Sequence, residues 1–222
     1  MQIQQNISLK QYNTFGIDVS AKYFSIFSTL SELQEVLSQE SVNKERMLIL
    51  GGGSNILLTQ NFDGLVIKNE LKGINVIQED DEHVYVKANA GENWHSFVLH
   101  CIRHGYAGAE NLSLIPGNVG AAPMQNIGAY GVEIKDIFYD LNAYHLKDKT
   151  IVNFSSKECA FGYRESIFKG KYKGQFVITD VTFRLNKKAV FNTSYGAIQQ
   201  ELENMQVKEI SIANISQAVY CF

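Results

Sequence analysis

Apolar and polar residues along the chain fall into short runs that predict strands, with a few helical stretches between them. Residues 22–27 (KYFSIF) predict a strand. Thr29 to Leu37 predict a helix opened by a capping box, with Thr29 as cap and Glu32 three residues later. The apolar run 47–50 (MLIL) suits a buried strand and leads straight into Gly51-Gly52-Gly53. Residues 65–68 and 74–77 predict further strands, and 84–90 (VYVKANA) alternates as a half-buried strand does. Asn93 is placed to cap a helix running to about His104, with Gly105 just past its end. Strands are expected near 137–146, 149–153 and 176–185. Helices are expected near 155–160, where Ser155 precedes Glu158, at 195–204, and in the closing SIANISQAVYCF. Helices interrupting a mainly antiparallel strand set point to an α+β fold, divided into two parts near residues 70–80.

Residues 105–131 break the pattern. They hold six of the 17 glycines and both prolines, Pro116 and Pro123, so neither a long helix nor a regular central strand fits. The segment is not a polar linker either, because Leu112, Leu114, Ile115, Val119, Met124 and Ile127 are interspersed. A long apolar loop rich in glycine lets backbone approach a ligand closely and adopt positive φ angles.

Composition narrows the classes. A chain of 222 residues with 45% hydrophobic and 19% charged residues is an ordinary globular protein. The net charge of −3 gives no reason to expect nucleic acid or an anionic membrane as partner. No run is long and apolar enough to span a bilayer, and the first residues lack the basic start and apolar core of a signal peptide. Cys101, Cys159 and Cys221 show no C-x-x-C pairing and are expected as free thiols in a reducing cytoplasm. His100 and His104 can share a helix face, but no H-E-x-x-H pattern is present and no metal is expected.

Three segments carry candidate chemistry. In MLILGGGSNILL (47–58), a strand opens into a turn whose free amides can converge on a phosphate; a plain tight turn is the alternative. The turn is neither the G-x-G-x-x-G fingerprint nor a P-loop. In IPGNVGAAPMQNIGAYG (115–131), glycines, small residues and amides would line an electron-rich heterocycle; a structural crossover loop is the alternative. In FGYRESIFK (161–169), Arg164 sits between aromatics, where its planar fork can anchor a carboxylate; a structural ion pair is the alternative.

Taken together and in order, NTFG (13–16), LILGGGSN (48–55), AGENWHSFV (90–98), NLSLIPGNVGAAPMQNIGAYG (111–131) and FGYRESIFK closely resemble the UDP-N-acetylenolpyruvoylglucosamine reductase family, from about residue 8 to 204. The resemblance implies an α+β, vanillyl-alcohol-oxidase-type FAD-binding fold of two subdomains, residues 1–72 and 73–222. It implies FAD as bound cofactor, with Gly51, Gly52, Gly53, Ser54 and Asn55 cradling the pyrophosphate. Asn118, Gly120, Ala121, Ala122, Gln125, Asn126 and Gly128 would wrap the flavin end, with Tyr130 nearby. NADPH is implied as hydride donor and an enolpyruvyl UDP-sugar as substrate. Arg164 matches the family's catalytic arginine, with Tyr163 beside it, and Tyr195 resembles the substrate-contacting tyrosine of the subclass with an extra loop.

Two departures from the family stand out. Ala121 and Ala122 occupy positions where many relatives carry serine or glycine, so backbone contacts to FAD are expected there rather than hydroxyl contacts. The family's C-terminal substrate domain, with its serine acid and late glutamate, has no counterpart in these residues. The chain is therefore expected to be a shortened, weakly active or inactive cytoplasmic reductase, monomeric or paired with a separately encoded C-terminal fragment. A non-catalytic FAD or nucleotide-binding module is the alternative. A flavin oxidase of other specificity fits less well, because FGYRESIFK matches the reductases.

Overall fold

The computed structural model describes residues 2–42 and 45–221. Strand β1 (Gln4–Ser8) precedes β2 (Ser20–Phe27), helix α1 (Leu30–Ser38), β3 (Met47–Leu50) and β4 (Phe62–Asn69). These strands form one sheet in the order β1-β2-β4-β3. The capping box forms as expected: Glu32 N–H donates to Thr29 Oγ1 at 3.2 Å, and Thr29 N–H to the Glu32 carboxylate at 3.1 Å. Leu33 and Val36 of α1 are buried, and the helix carries the chain from β2 over to β3. Because of that crossover, β2, β4 and β3 run parallel, and only β1 is antiparallel to its neighbour. This sheet thus departs from the mainly antiparallel set expected from the sequence.

The second sheet is antiparallel throughout, in the order β10-β9-β11-β6-β5. Its strands are β5 (Ile74–Glu79), β6 (His83–Asn89), β9 (Phe138–His145), β10 (Ile151–Ser155) and β11 (Phe176–Asn186). Helix α2 (Trp94–Arg103) follows β6. Asn93 caps it by accepting from Ser96 N–H at 2.9 Å, and Gly105 leaves it at φ +73°. Trp94, Phe97, Val98 and Cys101 form the buried face of α2, with the Phe97 ring 4.5 Å from that of Phe183 on β11. A two-strand hairpin, β7 (Gly128–Ala129) and β8 (Val132–Glu133), interrupts the glycine-rich segment. Helix α3 (Ser156–Cys159) opens with the Ser155–Glu158 capping box. Helices α4 (Gly196–Asn204) and α5 (Ile212–Val219) pack through Ile198, Leu202, Ile215, Ala218 and Val219.

The first sheet ends at Asn69 and the second begins at Ile74, and buried polar contacts join them. Asn69 Nδ2 donates to the Ile178 carbonyl at 3.3 Å on β11, while its Oδ1 accepts from Leu71 N–H at 3.0 Å. Gly91 N–H donates to the Leu71 carbonyl at 2.9 Å. Tyr144 and Val177 of the second sheet share a core with Phe27 and Ile67 of the first and with Leu33 of α1. Among the described residues no helix is long and apolar enough to cross a membrane, and no group of three or more His, Cys, Asp or Glu is placed to hold a metal.

Candidate functional site

Strand β3 delivers Gly51-Gly52-Gly53 to the seam between the sheets. Gly53 takes φ +66°, and a Cβ there would fall 2.0 Å from the Tyr12 carbonyl oxygen, so only glycine fits. The N-T-F-G run lies directly beneath. Buried Asn13 donates from Nδ2 to the Leu9 and Ile17 carbonyls at 2.7 and 3.0 Å, and Thr14 N–H donates to the Gly53 carbonyl at 3.2 Å.

The second glycine-dense turn stands against the first. A Cβ on Gly52 would meet Asn118 Oδ1 at 2.9 Å and Gly117 Cα at 3.0 Å. This second turn is zipped to the entry of α2. Trp94 N–H donates to the Gly117 carbonyl at 3.0 Å, Val119 N–H to Glu92 at 2.8 Å, and Gly120 N–H to Ala90 at 3.0 Å. Asn118 Nδ2 adds a bond to the Gly91 carbonyl at 3.0 Å, and Trp94 Nε1 one to Leu112 at 2.8 Å.

Three adjoining cavities of about 150, 240 and 270 Å³ follow the seam, and Ala121 borders all of them. The first is floored by Ile49 together with Phe176, Val177 and Ile178 of β11. The second runs along Gly51 to Asn55, and the third continues past Trp94 and Asn118 to Gln125 and Lys169. A long, narrow cleft between two turns suits an extended dinucleotide.

The two turns offer different things to such a ligand. Among the described residues, the amides of Gly51, Gly52, Gly53, Ser54 and Asn55 donate to no other group of the chain, which leaves them as a row of donors for a pyrophosphate. The amides of Gly120, Ala121 and Ala122 are already committed, to Ala90, Asn118 and Val119. These three residues therefore supply close approach and shape, and a Cβ on Gly120 would sit 2.5 Å from that of Ala90. The row of free amides is the donor chemistry that the pyrophosphate of FAD requires.

Asn126 is fully buried at φ +45°. Its Nδ2 donates to the Gly162 carbonyl at 2.9 Å, and its Oδ1 accepts from Lys135 N–H at 3.1 Å, so its side chain holds two loops together. Arg164 lies in the joined loop, in the left-handed region at φ +52°. Its Nη2 donates to the Gly128 carbonyl at 2.9 Å, and Lys169 Nζ donates to its own carbonyl at 2.8 Å. One hydrogen bond aims the guanidinium while most of its fork stays open to an anion. The Lys135 ammonium, with a smaller contribution from Arg164, holds the Glu133 carboxyl below its usual range. Tyr163 is almost fully exposed. Tyr195 is half exposed at the start of α4, its ring edge-on to Tyr130 at 5.5 Å. Asn111 Nδ2 pins this corner by donating to the carbonyls of Tyr130 and Asn192 at 3.1 and 2.9 Å.

Sequence reasoning missed the β11 floor, Ala90 and Lys169. An ordinary apolar strand carries no local mark of what it faces, and Ala90 looks like any strand-end residue. Lys169 stood in the quoted FGYRESIFK run, but its role emerges only when the loop closes on Arg164.

Residues 21–154 match the family model described as FAD binding domain. The chain is 50% identical to the UDP-N-acetylenolpyruvoylglucosamine reductases of Amoebophilus asiaticus and Flavobacterium johnsoniae, each over 99% of this chain and 65% of the relative. That of Pseudomonas putida is 46% identical over 99% of this chain and 64% of its own length. The chain thus spans about two-thirds, slightly less, of the curated relatives it matches. Among solved structures, the reductase of that name from Thermus caldophilus superposes with a TM-score of 0.67 at 24% identity, over 83% of this chain and 62% of the other. A solvent-stable cholesterol oxidase superposes at a TM-score of 0.56 and 14% identity, over 83% and 38%, so the fold is shared well beyond the reductases. The chain belongs to the FAD-binding domain family, on a vanillyl-alcohol-oxidase-type α+β fold.

Proposed function

We propose that this chain binds FAD in the seam cleft and serves the NADPH-dependent reduction of UDP-N-acetylenolpyruvoylglucosamine to UDP-N-acetylmuramate, a step in making cell-wall precursor. The observation that carries the reading is Arg164, whose guanidinium is held by the Gly128 carbonyl and whose own carbonyl is held by Lys169, a lining residue of the third cavity. Held there by Gly51 to Asn55 and the Gly120–Ala122 wall, FAD would supply a hydride carrier between NADPH and the enolpyruvyl group.

The chain's own residues do the rest. Gly51 to Asn55 bind the pyrophosphate through unpaired amides, and Ala121, Ala122 and Gly120 bring the backbone close to the ring system. Gln125, which lines the third cavity, and Tyr130 would contribute at its far end. Negative charge grows on the substrate carboxylate as hydride arrives, and a preplaced guanidinium stabilises it without reorganising. Exposed Tyr163 and Tyr195 stand where the UDP-sugar approaches. The reaction is placed in the cytoplasm, with the protein acting as a monomer.

The test is the visible spectrum of the purified protein, then anaerobic addition of NADPH and of the enolpyruvyl sugar in turn. Bleaching by the first is expected, with only slow or partial recovery on adding the second. A protein that binds no flavin contradicts the reading. One that binds FAD but neither bleaches nor recovers is a non-catalytic FAD-binding module.

A further inference from the structure

His95 lies on the first turn of α2, half-buried, and bridges two elements that the FAD reading leaves unexplained. Its Nδ1 accepts from Leu114 N–H at 3.1 Å. Since a backbone amide can only donate, Nδ1 carries no proton, and the neutral ring must hold its hydrogen on Nε2. Nε2 stands 2.5 Å from the Tyr220 hydroxyl at the end of α5, to which it therefore donates.

Leu114 is the residue that needs holding. It sits in the left-handed region at φ +61° without being glycine, and its side chain is exposed, so packing does little to keep it there. Immediately after it come Ile115 to Asn118, the turn against which Gly52 rests. Every other bond zipping 112–120 to 90–95 runs through uncharged amides, carbonyls, an indole or a carboxamide. The imidazole is the one group in that zipper able to titrate near neutrality. The same region is tied to α5 a second time by Ser113 Oγ, 2.7 Å from Ser216 Oγ.

We propose that His95 is a positioning residue for FAD: its neutral ring clamps Leu114 to fix the Ile115–Asn118 wall of the cleft, and acidification releases that wall and weakens flavin binding. Protonation puts a hydrogen on Nδ1 facing the hydrogen of Leu114 N–H, so the clamp must open. The Tyr220 phenol is the titratable group that faces the ring from α5. From the loop, the Glu110 carboxylate accepts from Gly108 N–H at 2.6 Å and makes no contribution to the His95 titration. Burial lowers the His95 pKa, with no charged neighbour contributing, which keeps the clamp closed at neutral pH. The inference depends on FAD occupying the cleft. That premise is checked separately, by flavin binding to the unaltered protein near neutral pH.

The experiment is FAD affinity by flavin fluorescence quenching between about pH 7.5 and about pH 5.5, on the wild type, His95→Asn and His95→Ala. Asn places Oδ1 about where Nδ1 was, so it accepts from Leu114 without titrating. Wild-type affinity is expected to fall a few-fold towards the acid end of that range, with His95→Asn flat and near the neutral wild-type value, and His95→Ala weak throughout. A parallel slope in wild type and His95→Asn overturns the proposal. Nitrogen chemical shifts of the wild-type imidazole give a second reading that needs no variant. An Nε2-protonated ring at neutral pH is expected, and an Nδ1-protonated ring overturns the clamp.

Discussion

Gly52 and Asn118 stand so close that a Cβ on the glycine would lie 2.9 Å from the asparagine Oδ1. They are 66 residues apart in sequence, and their contact joins the cavity lined by Gly52 to the one lined by Asn118. The same contact separates what a glycine does for the ligand from what it does for the fold.

Gly52→Ala is expected to weaken FAD binding about tenfold and to cost about 1–2 kcal/mol of stability, since both the Asn118 amide and the Gly117 backbone must give by a few tenths of an ångström. Gly53→Ala is expected to cost at least about 2 kcal/mol, because backbone carbonyl and positive φ both oppose it. Flavin titration and urea unfolding of the two variants check the contrast. Equal stability losses would remove the distinction.

Arg164→Met is expected to leave flavin reduction by NADPH close to wild type and to slow transfer to the enolpyruvyl sugar by about 10²- to 10³-fold. Arg164→Lys keeps the charge but loses the planar fork, and is expected to recover only a small part of the rate. Stopped-flow absorbance resolves the two half-reactions. A variant impaired chiefly in the NADPH half would contradict the role given to Arg164.

Asn69→Ala removes the bond to Ile178 on the second sheet and orphans the buried Leu71 N–H. The expected cost is about 1–3 kcal/mol, read from urea unfolding. Slower, weaker FAD binding should accompany it, because Asn69 also borders the first cavity.

Glu110 is buried, and burial raises its pKa, while the amides of Glu110 and Gly108 pull partly the other way. A carboxyl whose folded pKa lies above its unfolded value favours the fold most below about pH 4.5, and that contribution is lost as pH rises through the folded value. Glu110→Gln keeps an acceptor for Gly108 N–H without ionising. The stability of wild type relative to Glu110→Gln is therefore expected to fall as pH rises from about 4 to about 8. Unfolding midpoints at several pH values measure it, and a difference independent of pH would show that Glu110 titrates normally.

Much of the molecule follows from local sequence. The Thr29–Glu32 and Ser155–Glu158 boxes and the Asn93 cap form where the side chains predict, because each is settled within four residues. Gly51 to Gly53 and the 115–131 run also advertise a close approach of backbone, since few other roles call for so many missing side chains. Strand β1 went unread because QQNIS is almost wholly exposed, and only its pairing with β2 makes it a strand. The parallel order of β2, β4 and β3 follows from where α1 docks, and no periodicity reports that.

The site divides in the same way. Residue types at 51–55, 118–128 and 164 declared what could be bound. Only the closed fold decided that the first turn keeps its amides free while the second has spent its own on Ala90, Asn118 and Val119. It also decided that β11 floors the cleft and that Lys169 and Gly128 aim Arg164. Hydrogen bonds between distant segments are set by which surfaces meet, and a linear pattern records the groups available without recording their partners.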